Sequence, residues 1–151
     1  MAIGELGGVL VRLHHDFDPA RFIPPTEQTA RGYGEYVRGQ VGKPNVVVLV
    51  AERDGVVVGY AWGGAEGYDY MSLRGPAGVI IDIVVDAAHR GQGVGRMLLE
   101  GLTDQLTALG ARQFVLSTAA KNAPAQQLFE RAGFRRTMIE MTRDLDGKTD
   151  Q

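Results

Sequence analysis

The sequence has no cysteine and a single tryptophan among its 151 residues, and aromatic residues make up only 7% of it. The lack of cysteine excludes disulfides, thiolate nucleophiles and zinc–thiolate sites, and we predict no metal. The sequence also has no large excess of either charge, because its 16 Lys and Arg residues nearly balance its 18 Asp and Glu residues. The chain therefore carries no basic signature of nucleic-acid binding.

Long hydrophobic runs are equally scarce. The longest, such as residues 46–51, fall far short of the ~20 residues that a membrane span requires. The N-terminus has neither a basic start nor a long apolar stretch, so it does not match a signal peptide. We therefore expect a cytoplasmic protein with no membrane and no nucleic-acid partner.

The length and composition fit one globular domain, since 44% of the residues are hydrophobic and 23% are charged. We assign this domain to residues 1–145. The last six residues, 146–151, are predicted to be a frayed C-terminal tail.

A β-branched run near the middle of the chain predicts a central strand, buried on both faces. It comprises Ile80, Ile81, Ile83, Val84 and Val85. Asp82 is the only charge within it, and strand alternation places Asp82 on the same face as Ile80 and Val84. A carboxylate there is costly unless it is paired or hydrogen-bonded. A structural partner, such as a loop backbone or an arginine, is the interpretation that we favour slightly.

The segment after this strand is rich in glycine. Residues 90–96 read Arg-Gly-Gln-Gly-Val-Gly-Arg, so several backbone N–H groups face outward without a side chain in the way. A helical stripe follows, formed by Val94, Met97, Leu98, Leu102, Leu106 and Leu109. A glycine-rich turn that opens a helix is suited to binding a phosphate.

Two common nucleotide motifs do not fit this turn. The dinucleotide fingerprint needs a third glycine where Arg96 stands, and the P-loop needs a Gly-Lys-Ser/Thr triplet that the sequence lacks. The turn does match the pattern Arg/Gln-x-x-Gly-x-Gly/Ala, through Arg90, Gly93 and Gly95.

A second motif follows one strand later. Residues 114–118 predict a strand, and residues 122–134 predict a helix with Asn122 as its N-cap and Gly133 as its C-cap. Phe129 follows Asn122 by seven residues, and a Gly-Phe pair closes the segment. With these two motifs in this order, residues 79–134 resemble the GNAT superfamily of acetyl-coenzyme-A-dependent N-acetyltransferases.

The resemblance implies an α+β fold, with a central mixed, mostly antiparallel sheet and helices on both sides. It implies transfer of acetyl from acetyl-CoA to a primary amine of a small molecule or peptide, by direct attack in a ternary complex. The cofactor's pantetheine arm would pair with the backbone of Ile83, Val84 and Val85. Its pyrophosphate would take the N–H groups of the turn, with charge from two arginines. The implied cofactor-binding set in the two motifs is Arg90, Gly91, Gln92, Gly93, Val94, Gly95, Arg96, Asn122 and Phe129.

The sequence departs from the family pattern at two catalytic positions. Phe129 stands where many members have a tyrosine that protonates the leaving thiolate, and Ser117 stands where some have a glutamate base. Asp82 is our candidate for the acceptor side, where it would bind the incoming ammonium or relay its proton. An acyl-CoA-binding sensor or interaction module with little turnover is the alternative. A protein that binds another phosphate ligand is a third hypothesis.

The rest of the chain is predicted as scaffold around this centre. Residues 9–13 predict a first strand that ends at the solvated residues His14 and His15. Residues 135–145 predict a closing strand, and a homodimer formed through this strand would be compatible with the fold. Residues 26–41 predict a helix whose Tyr33 and Tyr36 pack in the core rather than touch substrate. The Asp54-Gly55 pair predicts a hairpin between residues 45–53 and 56–64. Residues expected near the acceptor are Trp62, which could instead close the core, and Glu66, Tyr68, Asp69 and Tyr70 of the following loop.

Overall fold

The computed structural model of the protein describes residues 2–145. Within them the chain forms four α-helices and four strands, with a 3-10 turn at Ala87–His89. The elements are α1 (Ala2–Phe17), α2 (Thr29–Arg38), β1 (Val46–Arg53), β2 (Val56–Glu66), β3 (Ala77–Val85), α3 (Val94–Ala108), β4 (Phe114–Val115) and α4 (Ala123–Arg131).

The strands form one mixed sheet in the order β1-β2-β3-β4. The first two pairings are antiparallel, and β3 pairs with β4 in parallel. Helices α1 and α2 pack on one face of this sheet and α3 packs on the other. The predicted α+β architecture is therefore confirmed. The central strand lies beside the predicted strand at residues 114–118, although only Phe114 and Val115 of that range form β4.

The hairpin is also confirmed. Asp54 and Gly55 both have positive φ, at 51° and 78°, as a two-residue turn between twisted strands requires. Antiparallel pairing then runs from Arg53 opposite Val56 to Val46 opposite Gly64. Trp62 lies in β2 and is only 6% exposed.

The predicted first strand at residues 9–13 is wrong, because these residues lie inside α1. Ile3, Leu6 and Leu10 recur at helical spacing and pack with Tyr33 of α2 in one core cluster. His14 and His15 are consequently in the last helical turn, where His14 Nδ1 donates to the Leu10 carbonyl at 2.8 Å. The β-branched residues Val9 and Val11 favoured a strand locally, and packing over the longer helix overrode that preference.

Two glycines of α1 allow α2 to approach closely. A Cβ on Gly4 would lie 2.3 Å from the Ala30 carbonyl oxygen, and one on Gly7 would lie 2.2 Å from the Tyr33 ring. Tyr33 therefore faces inward, as predicted, whereas Tyr36 is 59% exposed. Helix α2 is shorter than the predicted residues 26–41 at both ends.

The other face of the sheet holds the larger core. Leu98, Leu102 and Leu106 of α3 are buried there, with Leu99 buried in place of the predicted Met97 and Leu109. Helix α4 begins after Asn122, so the predicted N-cap is confirmed. The C-cap is Ala132 rather than the predicted Gly133, which follows it at φ 94° and ends the helix.

The predicted closing strand at residues 135–145 is wrong, since no strand forms in this described segment. The pairing in residues 2–145 stops at β4, so this segment adds no strand to the sheet. An ion pair between Arg21 and Glu140, at 2.8 Å, holds it near the loop after α1. The predicted tail, residues 146–151, lies outside the described residues. Among the helices described, none has both the length and the apolar character needed to cross a bilayer.

Candidate functional site

Strands β3 and β4 separate soon after they meet. Their pairing is limited to Gly78 with Phe114 and Val79 with Val115, whereas β2 follows β3 as far as Val85. Within the described residues, one edge of β3 therefore has no partner strand from residue 80 to residue 85. Free backbone donors and acceptors on such an edge can pair with an extended ligand.

The glycine-rich turn follows this edge after the 3-10 turn at Ala87–His89. Gly91 and Gly93 have φ of 75° and 83°, and a Cβ on either would meet no atom within 4 Å. Gly93 is the N-cap of α3, and no side chain caps this helix. The first N–H groups of the helix lack intrahelical acceptors, and the helix dipole makes this end positive. This geometry suits a phosphate group.

Side chains of the turn contact nearby structure. Arg90 Nε donates to the Val85 carbonyl at 3.3 Å, which links the turn to the end of β3. Arg96 pairs with Glu100 at 2.9 Å, and Gln92 accepts a hydrogen bond from Arg53. Arg90 and Arg96 thus lie on either side of the turn, and both side chains are exposed.

Asn122 and Phe129 have clear structural roles. The Asn122 side chain accepts a hydrogen bond from the Ala125 N–H at 3.2 Å and so caps α4. The Phe129 ring meets the Phe134 ring edge to face, with centroids 5.9 Å apart, against the larger core. Gly95 lies where α4 approaches β3, because its Cβ would be 3.4 Å from Leu128 and 3.7 Å from Val85.

Asp82 is half-buried at the centre of an aromatic cluster. Its Oδ2 accepts hydrogen bonds from the Tyr33 hydroxyl, from Trp62 Nε1 at 2.9 Å and from the Tyr60 hydroxyl at 3.3 Å. We call Asp82, Tyr33, Tyr60 and Trp62 the Asp82 cluster. In the described part of the chain none of the hydrogen bonds to Asp82 reaches Oδ1. The partners are thus three neutral donors, and not the loop backbone or arginine that we expected.

A β-bulge decides which way Asp82 faces. Trp62 pairs with Asp82 and Gly63 pairs with Ile80, so Ile81 is the extra residue, and it is 46% exposed. Ile80 consequently packs in the core under α3, while Val84 packs in the core under α1 and α2. The expectation from simple alternation that Asp82 shares a face with both Ile80 and Val84 is therefore only half correct. Exposed Ile81 also means that β3 is not buried on both faces throughout.

The electrostatics of this cluster keep the tyrosines neutral. Burial raises the pKa of both Tyr33 and Tyr60 above the ordinary value, and the negative charge of Asp82 raises the pKa of each further. Both hydroxyls therefore remain protonated at neutral pH and act as hydrogen-bond donors to the carboxylate.

Sequence reasoning missed Tyr60 and assigned Tyr33 only to packing or substrate contact. The signal for Tyr60 was its position two residues before Trp62 in β2, since alternate strand residues share a face. Glu66 and Asp69, the two charged residues predicted near the acceptor, both form ion pairs with Arg74 of the loop after β2. The distances are 3.5 Å to Glu66 and 3.8 Å to Asp69. Tyr68 and Tyr70 stack on each other and are exposed, and their contact with an acceptor stays a prediction.

The chain matches a family model described as the acetyltransferase (GNAT) family over residues 10–134. The chain belongs to this family. The predicted resemblance is confirmed, and the match extends well to the N-terminal side of the two motifs. The matched range includes α2, all four residues of the Asp82 cluster and the glycine-rich turn.

Among curated relatives of this GNAT chain, an L-methionine sulfoximine/L-methionine sulfone acetyltransferase of Salmonella typhimurium is 35% identical over 91 residues. Those residues are 58% of this chain and 49% of that protein. A mycothiol acetyltransferase of Thermobispora bispora is 37% identical over 98 residues, which are 62% of this chain and 31% of that protein. The chain thus spans about half or less of the length of these curated relatives.

A solved structure of a mutant Bacillus halodurans protein is similar with a TM-score of 0.78 and 19% identity, covering 95% of this chain and 92% of that one. At this identity the similarity shows the fold alone.

Proposed function

We propose that this GNAT domain is an N-acetyltransferase that transfers the acetyl group of acetyl-CoA to a primary amine. The observation that carries the proposal is the free edge of β3 at residues 83–85, which is followed, after one 3-10 turn, by a glycine-lined helix N-terminus without a side-chain cap. An extended amide chain and a pyrophosphate are the two parts of coenzyme A that these features would bind. The small amino-acid derivative named for the Salmonella typhimurium relative supports a small amine acceptor.

In this proposal the backbone of Ile83, Val84 and Val85 holds the pantetheine arm, and the N–H groups of residues 91–96 hold the pyrophosphate. The exposed guanidinium groups of Arg90 and Arg96 add positive charge beside it. The amine nitrogen forms a bond to the acetyl carbon while the carbon–sulfur bond breaks. Sulfur leaves as the thiolate. An acceptor that arrives as an ammonium loses one proton to Asp82 or water before it attacks, and the nitrogen loses a second proton after the bond forms, which the thiolate takes up. The chain's contribution is chiefly to place the two reactants in contact.

Asp82 is the proposed acceptor-side residue. Its Oδ2 is held by three neutral donors, so the carboxylate is fixed in position while its negative charge is not cancelled by a cation. Oδ1 is then the oxygen that would meet the incoming ammonium. Helices α1 and α2 pack over the face of the sheet on which Asp82 lies. The acceptor would therefore reach Asp82 on the face that these helices cover, and not on the α3 face.

The second candidate is a domain that binds acyl-CoA with little turnover. The placement of Phe129 favours it: the ring packs against Phe134 and has no proton for a leaving thiolate. The two functions share the cofactor site and differ in whether thiol is released in the presence of an amine.

Thermal unfolding with and without acetyl-CoA tests the shared step. A ligand that binds only the folded state at ~100 times its Kd stabilises that state by ~2.7 kcal/mol. Gly93→Val should abolish the rise in Tm, because a branched side chain resists φ 83° and obstructs the turn. Gly42→Val is the matched control, since Gly42 has a φ of 82°, a Cβ there meets nothing within 4 Å, and the residue lies in another loop. A wild-type protein whose Tm does not change at millimolar acetyl-CoA would refute both candidates.

Thiol release measured across a panel of amines then distinguishes the transferase from the acyl-CoA-binding domain. Turnover supports the transferase, and binding without turnover supports the sensor. Asp82→Asn is nearly isosteric and should keep the acetyl-CoA shift in Tm while kcat/KM for the amine falls. A folded Asp82→Asn variant with the wild-type kcat/KM would return Asp82 to a structural role.

A further inference from the structure

A cavity of about 180 Å³ lies between α1, the loop that follows it and α2. Its lining is almost entirely hydrocarbon and aromatic: Leu10, Val11, His14, Phe22, Ile23 and Tyr33. The hydrogen on His14 Nδ1 is used within α1, on the Leu10 carbonyl, and the His14 ring meets the Phe22 ring edge to face at 5.0 Å. The walls therefore offer a surface for an apolar group and few hydrogen bonds for a polar one.

Tyr33 connects this cavity to the Asp82 cluster. Its ring is part of the cavity wall, and its hydroxyl donates to Asp82 Oδ2. The ring is fixed in this position because it lies over Gly7, where any Cβ would overlap it. The cavity and the carboxylate are consequently at the two ends of one rigid side chain.

We propose that this cavity binds the apolar group of the acceptor, so that the preferred acceptors are monoamines carrying a ring-sized or branched hydrocarbon group. The proposal rests on the transferase function proposed above. The pocket is open to solvent on one side, and its volume of 180 Å³ is comparable with the roughly 150 Å³ cavities that accommodate benzene in other proteins, so it has room for one phenyl ring. Asp82 supplies one negative charge for one ammonium. A polyamine would have to place a second charge against the apolar wall, which is unfavourable.

The test compares 2-phenylethylamine with ethylamine as acceptors for the 151-residue chain, using acetyl-CoA-dependent thiol release. We expect kcat/KM for 2-phenylethylamine to be higher by about 10-fold or more, since even a single buried methylene discriminates by ~10–200-fold in an apolar pocket. Val11→Phe fills the cavity and should lower this ratio at least several-fold. The two amines differ in pKa, but this difference cancels when the ratio is compared between variants.

Val9→Phe is the matched control, because Val9 lies on the same helix, is 42% exposed and does not line the cavity. It should keep the wild-type ratio. If Val11→Phe does not fold, Ile23→Ala replaces it, since Ile23 lines the cavity and, being 74% exposed, should cost the fold little when truncated. This variant should also lower the ratio, because it removes part of the apolar wall. Equal ratios in the wild type and in the cavity variant would overturn the inference and leave the transferase function standing.

A binding measurement makes the inference testable without turnover. The ring protons of His14, assigned with His14→Gln, should shift in the NMR spectrum when 2-phenylethylamine is added in the absence of acetyl-CoA. Ethylamine at the same concentration should not shift them. If neither amine perturbs His14, the cavity is not the acceptor site. If acetyl-CoA also leaves Tm unchanged, the transferase function fails as well, so the two failures are distinguishable.

Discussion

The buried tyrosines of the Asp82 cluster predict a specific loss of stability at high pH. In the unfolded chain a tyrosine ionises with a pKa of about 10. In the folded protein, burial and then the charge of Asp82 raise the pKa of Tyr33 and Tyr60, so both stay neutral there. Only the unfolded state then releases these protons. Folding stability therefore does not depend on them below about pH 9 and falls as pH rises beyond 10.

The magnitude follows from this linkage. At pH 11 an unfolded tyrosine with a pKa of about 10 gains RT ln 11, about 1.4 kcal/mol, so the two tyrosines together remove about 2.8 kcal/mol. Tyr33→Phe isolates one of them. At pH 8 this variant should be less stable than wild type by about 1.5–3 kcal/mol, because a hydrogen bond to a charged group is lost. At pH 11 this difference in unfolding free energy should shrink by about 1.4 kcal/mol. The reason is that ionisation of Tyr33 stabilises the unfolded wild type, and the variant has no Tyr33 to ionise.

Urea unfolding of both proteins at pH 8 and pH 11 measures this change. Lysine and arginine also titrate in this range, but their contribution is common to both proteins and cancels in the difference. Absorbance at 295 nm adds a second readout, since ionisation of Tyr33 should coincide with unfolding in the wild type. A free-energy difference that is the same at both pH values would show that Tyr33 titrates alike in the folded and unfolded states. Our account of the cluster would then be wrong.

Three further substitutions test the scaffold and the chemistry. Gly63→Ala should destabilise the fold by about 3 kcal/mol in urea unfolding, because its Cβ would lie 2.3 Å from the Val79 carbonyl oxygen; a loss of less than about 1 kcal/mol would show that the bulge relaxes. Asn122→Ala should cost about 1 kcal/mol by removing the hydrogen bond to the Ala125 N–H, and an unchanged urea midpoint would contradict this. Phe129→Tyr should keep the acetyl-CoA shift in Tm and raise kcat, since general-acid assistance is worth ~10²–10⁴-fold where it operates; an unchanged kcat would indicate another proton donor or a different limiting step.

The parts of the fold that could be predicted from the sequence are those that short segments specify. Asp54-Gly55 sets its own turn by positive φ, and Asn122 caps its own helix, so neither depends on distant residues. The glycine-rich turn and α3 were predictable for the same reason. The pattern of apolar residues in β3 also sufficed to place it centrally in the sheet.

The errors occurred where packing between distant segments decides the outcome. Residues 9–13 have local strand preference, but Gly4 and Gly7 admit α2 so closely that the longer helical stripe prevails. The bulge at Ile81 depends on how β2 pairs with β3, which no periodicity within β3 encodes. Residues 135–145 read as a strand in isolation, yet a strand forms only where a neighbour offers hydrogen bonds.

The same distinction separates the two halves of the proposed site. Most of the cofactor half lies within one segment, from Ile83 to Arg96, and Asn122 and Phe129 belong to the second motif, so short motifs describe it. The acceptor half is assembled from three segments: Tyr33 of α2, Tyr60 and Trp62 of β2, and Asp82 of β3. The bulge turns Asp82 toward α1 and α2, and the close contact between those helices brings Tyr33 onto it. Because these packing contacts lie outside the motif, substitutions in α1 and α2 should change acceptor choice while leaving acetyl-CoA binding intact.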